Sequence, residues 1–146
     1  MKQEYRDDDI RLLALLPLIN RTILSASRIR EFGYTKTQLT IFAALTLRES
    51  LTMSQVSGYI SSSKEQATRA VAPLVDEGLV ERFVDPENRT HIHIRLTTKG
   101  NEFMEVCRAR FRKNLHAQLD DTVTPDEKAE LFSAIDSLLR ILGKLN

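Results

Sequence analysis

The most constraining feature of this 146-residue sequence is a change in its apolar pattern near the middle. Up to about residue 78, apolar residues recur at helical spacing. Segments 79–84 and 92–96 instead have the branched and aromatic content of β-strands, and the second alternates apolar with polar residues. Residues 85–90 between them form a polar loop with a proline at a turn position. The pattern therefore predicts a mainly helical fold that carries a small β-hairpin.

Short polar signals mark where the predicted helices begin. Thr35, Thr52, Ser63 and Thr124 are each followed three residues later by Gln or Glu, which is the capping-box pattern of a helix start. Pro17 is expected to kink or break the first helix. The predicted helices span 8–30, 36–50, 53–60, 64–77, a long segment after 97–100, and a last segment from Pro125.

Two short helices separated by a tight turn and followed by a hairpin are the element order of a winged helix-turn-helix. In that fold the second helix enters a DNA groove, and its N-terminal half meets the base edges. On the helix over 64–77, Ala67, Val71, Leu74 and Val75 share the face expected to be core. The residues expected to contact DNA from the opposite face and from the hairpin are Ser63, Lys64, Gln66, Thr68, Arg69, Arg89, Thr90 and His91.

Composition and charge exclude several other classes of protein. Hydrophobic residues make up 42%, enough for a sizeable core, and the net charge of +1 excludes a strongly basic coat. The longest apolar run, 12–19, contains Pro17 and is too short to span a bilayer. Glu4 and Asp7 have the wrong charge for a secretory signal. We therefore expect a cytoplasmic protein with no membrane partner.

Candidate reactive residues favour neither catalysis nor a bound metal. No catalytic motif is present in the sequence, so we expect no enzyme activity and no cofactor. His91 and His93 share a strand face and could hold a metal, but a solvated or phosphate-contacting hairpin face needs fewer coincidences. The lone Cys107 lies on an apolar face of the fifth helix, where a buried inert thiol is expected rather than a redox sensor.

Four segments resemble the MarR family of bacterial winged-helix regulators, in the same order and spacing. They are Ser63–Arg69, Gly78–Arg82 (GLVER), Asp85–Arg89 (DPENR) and Arg95–Gly100 (RLTTKG). The resemblance covers nearly the whole chain, which is interpreted as one domain over 1–146. It implies a homodimer on palindromic operator DNA that represses or activates transcription, with release by a small ligand between the DNA lobe and the dimer helices.

The resemblance divides the chain into a DNA-binding lobe over 34–100 and a helical dimerisation region over 1–33 and 101–146. The apolar residues expected at the dimer interface are Ile10, Leu13, Leu131, Ile135, Leu138 and Leu142. The expected effector is a small aromatic or apolar anion between the first, second and fifth helices, near Arg21 and Arg28.

Three residues depart from the family pattern. Asn88 stands where an acid usually holds the wing arginine, Pro73 interrupts the second helix of the lobe, and Glu65 adds a carboxylate near phosphates. Residues 54–100 contain six Lys or Arg and six Asp or Glu, so this lobe is formally neutral. These departures leave an alternative open: a winged-helix module that binds protein, with weak or lost DNA binding. They also leave Arg89 either in the minor groove or paired with a neighbouring acid in the turn.

Overall fold

A computed structural model of the chain describes residues 8–145, and Glu4 and Asp7 lie outside them. The fold is mainly helical with a small antiparallel sheet, as predicted. In chain order the helices and strands are α1 (Asp8–Ser27), α2 (Lys36–Leu47), β1 (Leu51–Thr52), α3 (Met53–Tyr59), α4 (Lys64–Asp76), β2 (Val80–Val84), β3 (Ile92–Leu96), α5 (Thr98–Thr122) and α6 (Pro125–Leu142). Short 3-10 turns follow α1, over Ile29–Phe32, and α6, over Gly143–Leu145.

The helix starts lie where the sequence predicts them. Thr35, Thr52, Ser63 and Thr124 each accept a hydrogen bond from the backbone N–H three residues later, at 3.1–3.2 Å. The Gln or Glu at that position in turn accepts from the backbone N–H of the capping residue. Both exchanges satisfy donors that a helix start otherwise leaves without partners. The capping boxes therefore fix the four predicted starts independently of the tertiary fold.

The end and the middle of α1 differ from the prediction. The helix stops at Ser27, not at residue 30, because Arg28 adopts a left-handed conformation (φ 46°) and the chain continues as a 3-10 turn. Pro17 lies inside a continuous helix, so the expectation of a break is wrong. The short apolar run considered in the sequence is thus part of one helix of 20 residues.

The continuity of α1 also corrects the expectation about membrane spans. Within the described residues, Ile10–Ser27 is long and apolar enough to cross a membrane, by length and composition only. Most of this span is exposed in the described chain, although part of α1 packs along α5. Asn114 of α5 donates to the Ala26 carbonyl at 2.9 Å, and Gln118 donates to the Ser25 hydroxyl at 3.1 Å. These contacts tie the C-terminal half of α1 to protein.

The hairpin pairs with a short strand, β1, that has no signal in the sequence pattern. The described sheet has the order β1-β3-β2, and Ile94 of β3 lies between Leu51 of β1 and Arg82 of β2. Two residues are too few to show a strand pattern, and Thr52 already belongs to the helix start of α3. The third strand anchors the base of the hairpin to the helices.

Burial separates the central lobe from the terminal helices. The core lies between α2, α3, α4 and the sheet, and its fully buried side chains are Phe42, Ile41, Leu51, Leu74, Ile94, Val56, Val71 and Val80. By contrast, α6 contributes no buried residue, and Leu13 of α1 is 72% exposed. The predicted dimer residues Ile10, Leu131, Ile135 and Leu142 are likewise exposed, and Leu138 is half-buried. The apolar surface that these residues form on α1 and α6 is therefore not buried within the described chain.

Candidate nucleic-acid interface

The turn between α3 and α4 presents one face of α4 to solvent. Ser61 takes a left-handed conformation (φ 51°), and the Ser62 N–H donates to the Ser57 carbonyl at 2.9 Å. Ala67, Val71 and Leu74 are buried as predicted, while Val75 is half-buried. Because the core side of α4 is fixed by these residues, its opposite side is exposed along the whole helix.

Several predicted contact residues on that exposed side are already bonded within the helix start. Ser63 caps α4, and the Gln66 side-chain oxygen accepts from the Ser63 N–H at 3.5 Å and from the Ser62 hydroxyl. The Thr68 hydroxyl donates to the Lys64 carbonyl at 2.9 Å. Ser63, Gln66 and Thr68 thus shape this end of α4. Lys64 and Arg69 are the long cations that extend from it, and their DNA contacts stay predictions.

Arg69 is held by an acid that the sequence analysis did not connect with it. Its Nη2 lies 2.6 Å from Oε1 of Glu65, and both side chains are about three-quarters exposed (75% and 73%). The two residues are four apart, which puts them on the same side of the helix. That spacing was the signal in the sequence that could have revealed the pair.

The hairpin tip is braced by short polar side chains. The Asp85 carboxylate accepts from the Glu87 N–H at 2.9 Å, and the Asn88 side-chain oxygen accepts from the Thr90 N–H at 3.3 Å. Arg89 is exposed at the tip, and no partner for its guanidinium is present among the described residues. Within the described residues, Arg89 therefore forms no ion pair with Asp85 or Glu87, which was the alternative role in holding the turn. Thr90 and His91 are exposed beside it.

The motifs at the base of the hairpin have a structural role. Gly78 takes a left-handed conformation (φ 74°) after α4, and its carbonyl accepts from the Thr97 hydroxyl at 2.5 Å. The Leu79 carbonyl accepts from the Thr97 N–H at 3.0 Å, and Lys99 Nζ donates to the Glu77 carbonyl at 2.7 Å. The GLVER and LTTKG segments therefore join α4, the hairpin and α5 at one point.

A second connection links the end of α4 to the rest of the molecule through Tyr34. Its hydroxyl donates to the Glu77 carboxylate, and its ring packs edge-on against Phe42 and Phe103 at 5.6 and 5.2 Å between centroids. Burial of the phenol, followed by the hydrogen bond to Glu77, raises the pKa of Tyr34 to about 12. The tyrosine therefore stays protonated and acts as a donor at neutral pH.

Some cations of the formally neutral lobe are paired with acids or aromatic rings, and others are not. Arg95 lies over the Phe83 ring at 4.5 Å and bonds Glu81 at 2.6 Å, so this arginine stabilises the outer face of the hairpin. Among the described residues, the side chains of Lys64, Arg82 and Arg89 have no hydrogen-bond or ion-pair partner. These three cations are available for phosphates although the net charge is near zero.

Within the described residues, the candidate reactive side chains are not part of a preformed chemical site. They are His91, His93 and Cys107. Within residues 8–145 no group of three or more His, Cys, Asp or Glu is placed to hold a metal ion. His93 packs against the Phe83 ring at 5.4 Å, and His91 is exposed. Cys107 is half-buried rather than buried, and burial raises the pKa of its thiol despite the nearby Arg110. Since the thiolate is the reactive form, this cysteine is poorly activated.

Comparison with known proteins agrees with this geometry. The chain is 32% identical over 111 residues to the transcriptional repressor MprA of Escherichia coli K12, covering 73% of this chain and 62% of MprA. It is 28% identical over 105 residues to the multiple antibiotic resistance protein MarR of the same strain, covering 72% and 73% of the two chains. The chain belongs to the MarR family. No protein-family model matches the sequence.

The fold of a solved MarR-family protein extends over almost the whole chain. A mutant of E. coli MarR complexed with operator DNA superposes with a TM-score of 0.63, covering 94% of this chain and 99% of that one at 24% identity. The winged helix-turn-helix prediction is therefore confirmed. The coverage includes the terminal helices, so α1 and α6 belong to the common MarR-family architecture.

Proposed function

We propose that this chain is a transcriptional regulator of the MarR type that binds palindromic operator DNA as a homodimer in the cytoplasm. The observation that carries the proposal is the exposed N-terminal half of α4, with Lys64 and Arg69, beside a hairpin tip with Arg89. This arginine has no partner within residues 8–145. Repression is the proposed sign of regulation, because the relative MprA is named a transcriptional repressor.

In the proposed dimer, the exposed apolar surface of α1 and α6 is buried against the second copy of the chain. The interface in this proposal contains Ile10, Leu13, Leu131, Ile135, Leu138 and Leu142, which are exposed or half-buried in one chain. A two-fold axis through these helices presents two copies of α4 to DNA, and two-fold symmetry in a protein is matched by palindromic half-sites. Burial of this apolar face against a second copy also explains why α1 is so apolar, without requiring a membrane.

The direct test is an electrophoretic mobility shift with DNA from upstream of the protein's own coding region, at low salt. The proposal expects retardation that weakens steeply as salt rises, because phosphate contacts release counterions. If this DNA is not retarded at low salt, the proposal is contradicted and the protein-binding alternative takes its place.

Arg89→Ala tests the wing. Because Arg89 is exposed and unbonded among the described residues, we expect an unchanged melting temperature. DNA affinity should fall by about 1–3 kcal/mol and the salt slope should flatten by about one ion. Arg112→Ala removes the same charge from an exposed position on α5 and serves as the control. Lower stability with unchanged affinity would instead make Arg89 a brace of the turn.

An effector site is proposed where α5 meets the turn after α1. A cavity of ≈ 320 Å³ there is lined by Arg28, Glu31, Ala109, Arg110, Lys113 and Asn114. The site expected between α1, α2 and α5 stays a prediction, because this cavity includes Arg28 but neither Arg21 nor any residue of α2. Arg110 lies over the Phe32 ring at 4.5 Å, and Glu31 bonds both Arg110 and Arg28 at 3.3 and 3.5 Å.

An aromatic carboxylate suits this cavity because its carboxylate can replace Glu31 on Arg28 and Arg110 while its ring lies against Ala109. We expect such compounds to raise the melting temperature of the protein, and Arg110→Ala to abolish that rise. A flat thermal-shift screen across aromatic carboxylates would contradict this part of the proposal.

A further inference from the structure

The Glu65–Arg69 pair lies where the proposed function requires base contacts. Both residues are on the exposed side of α4 in its N-terminal half, and the pair is formed by one short contact of 2.6 Å. An exposed pair four residues apart contributes little to folding stability. The fold therefore does not depend on this pair, whose effect is to place the Arg69 guanidinium beside the Glu65 carboxylate.

A carboxylate at this position restricts what the helix can face in DNA. Phosphates repel it, and the hydrogen-bond donors of the major groove are the amino groups of cytosine and adenine. Arg69 has the opposite requirement, since a guanidinium only donates. The pair therefore presents an acceptor beside a donor, and it needs a base pair that offers a donor beside an acceptor.

The G·C base pair meets both requirements at the right spacing. Guanine O6 and cytosine N4 are hydrogen-bonded to each other, so they lie about 2.9 Å apart, close to the 2.6 Å between Arg69 and Glu65. Guanine N7 gives Arg69 a second adjacent acceptor. In an A·T pair the adenine amino group separates N7 from thymine O4, so the guanidinium finds no two adjacent acceptors.

The geometry points to Glu65 and Arg69 as a composite reading unit that selects a G·C pair in each DNA half-site. Arg69 donates to guanine O6 and N7, and Glu65 accepts from cytosine N4. Glu65 is then a specificity-determining residue that lowers affinity for DNA lacking this base pair. The inference rests on the proposed function, because it assumes that α4 enters the major groove.

The test uses a pool of random double-stranded oligonucleotides selected on the wild-type protein, followed by equilibrium binding to the selected site. We expect the site to contain a G·C pair whose replacement by A·T weakens wild-type binding about tenfold. For Glu65→Ala, which removes the acceptor for cytosine N4 but leaves Arg69 to bind guanine, the same replacement should weaken binding only about threefold. Glu102→Ala removes an equal charge from an exposed position near the start of α5 and should retain the wild-type preference.

The possible results distinguish failure of this inference from failure of the proposed function. If the wild-type protein retains no DNA from the pool, the proposed function fails and the inference fails with it. If DNA is selected but Glu65→Ala keeps the full, about tenfold G·C preference, the inference alone is overturned. Tighter binding of Glu65→Ala to every sequence with an unchanged preference also overturns it, because Glu65 would then act only by repelling phosphates.

Discussion

Replacing Leu138 and Leu142 together by aspartate should convert the protein from a dimer to a monomer or an aggregate. Each leucine buried in the proposed interface contributes roughly 1.5–3 kcal/mol, and two-fold symmetry makes every substitution count twice. The new carboxylates would also have to lose water in an apolar interface. Sedimentation equilibrium should therefore show a large loss of dimer at micromolar concentration.

The matched control places the same two charges on the other side of α6. Residues of a helix are separated by about 100°, so the exposed Ala129 and Ser133 lie roughly opposite the stripe that contains Leu138 and Leu142. Ala129→Asp with Ser133→Asp should leave the dimer intact. An unchanged dimer in the leucine double variant would refute the assignment of this interface.

Gly100→Ala should destabilise the fold by about 3 kcal/mol, at the upper end of what overpacking usually costs. A Cβ on Gly100 would lie 1.9 Å from the carbonyl oxygen of Leu79 and 3.2 Å from a methyl carbon of Leu96. That same carbonyl oxygen accepts the Thr97 N–H, so it cannot move away without opening the junction between the hairpin and α5. Urea unfolding monitored by circular dichroism measures the free energy of unfolding directly.

Gly58→Ala is the control for this effect. Gly58 lies inside α3, and a Cβ there meets nothing within 4 Å. Alanine is the better helix former by about 1 kcal/mol, so this variant should be as stable as the wild type or more stable. Equal stability of the two alanine variants would show that the close approach at Gly100 is not a real constraint.

The predictable part of this fold is the part encoded by local signals. Capping residues such as Thr35 and Ser63 lie next to the backbone groups that they satisfy, so the helix starts could be predicted from a few neighbouring residues. The core face of α4 followed from periodicity. The residues on α4 that are predicted to contact DNA are exposed as expected, yet the pairing of Arg69 with Glu65 was not predicted.

The features that escaped prediction depend on distant parts of the chain. Strand β1 exists because Leu51 pairs with Ile94, 43 positions away, and two residues alone carry no period. Tyr34 is tied to Glu77 across the same separation. Pro17 was expected to kink or break α1, and the helix is not broken there, since α1 continues along α5. Tertiary contacts decide each of these cases, and a local pattern cannot report them.

The most direct measurement of the central claim is hydroxyl-radical footprinting of the protein on DNA selected from a random pool. A dimer that reads with two copies of α4 should protect two symmetric half-sites about one helical turn, roughly 10 base pairs, apart. Minor-groove protection by the wings should flank them and disappear in Arg89→Ala. Protection of one isolated half-site, or none, would contradict a homodimeric DNA-binding regulator.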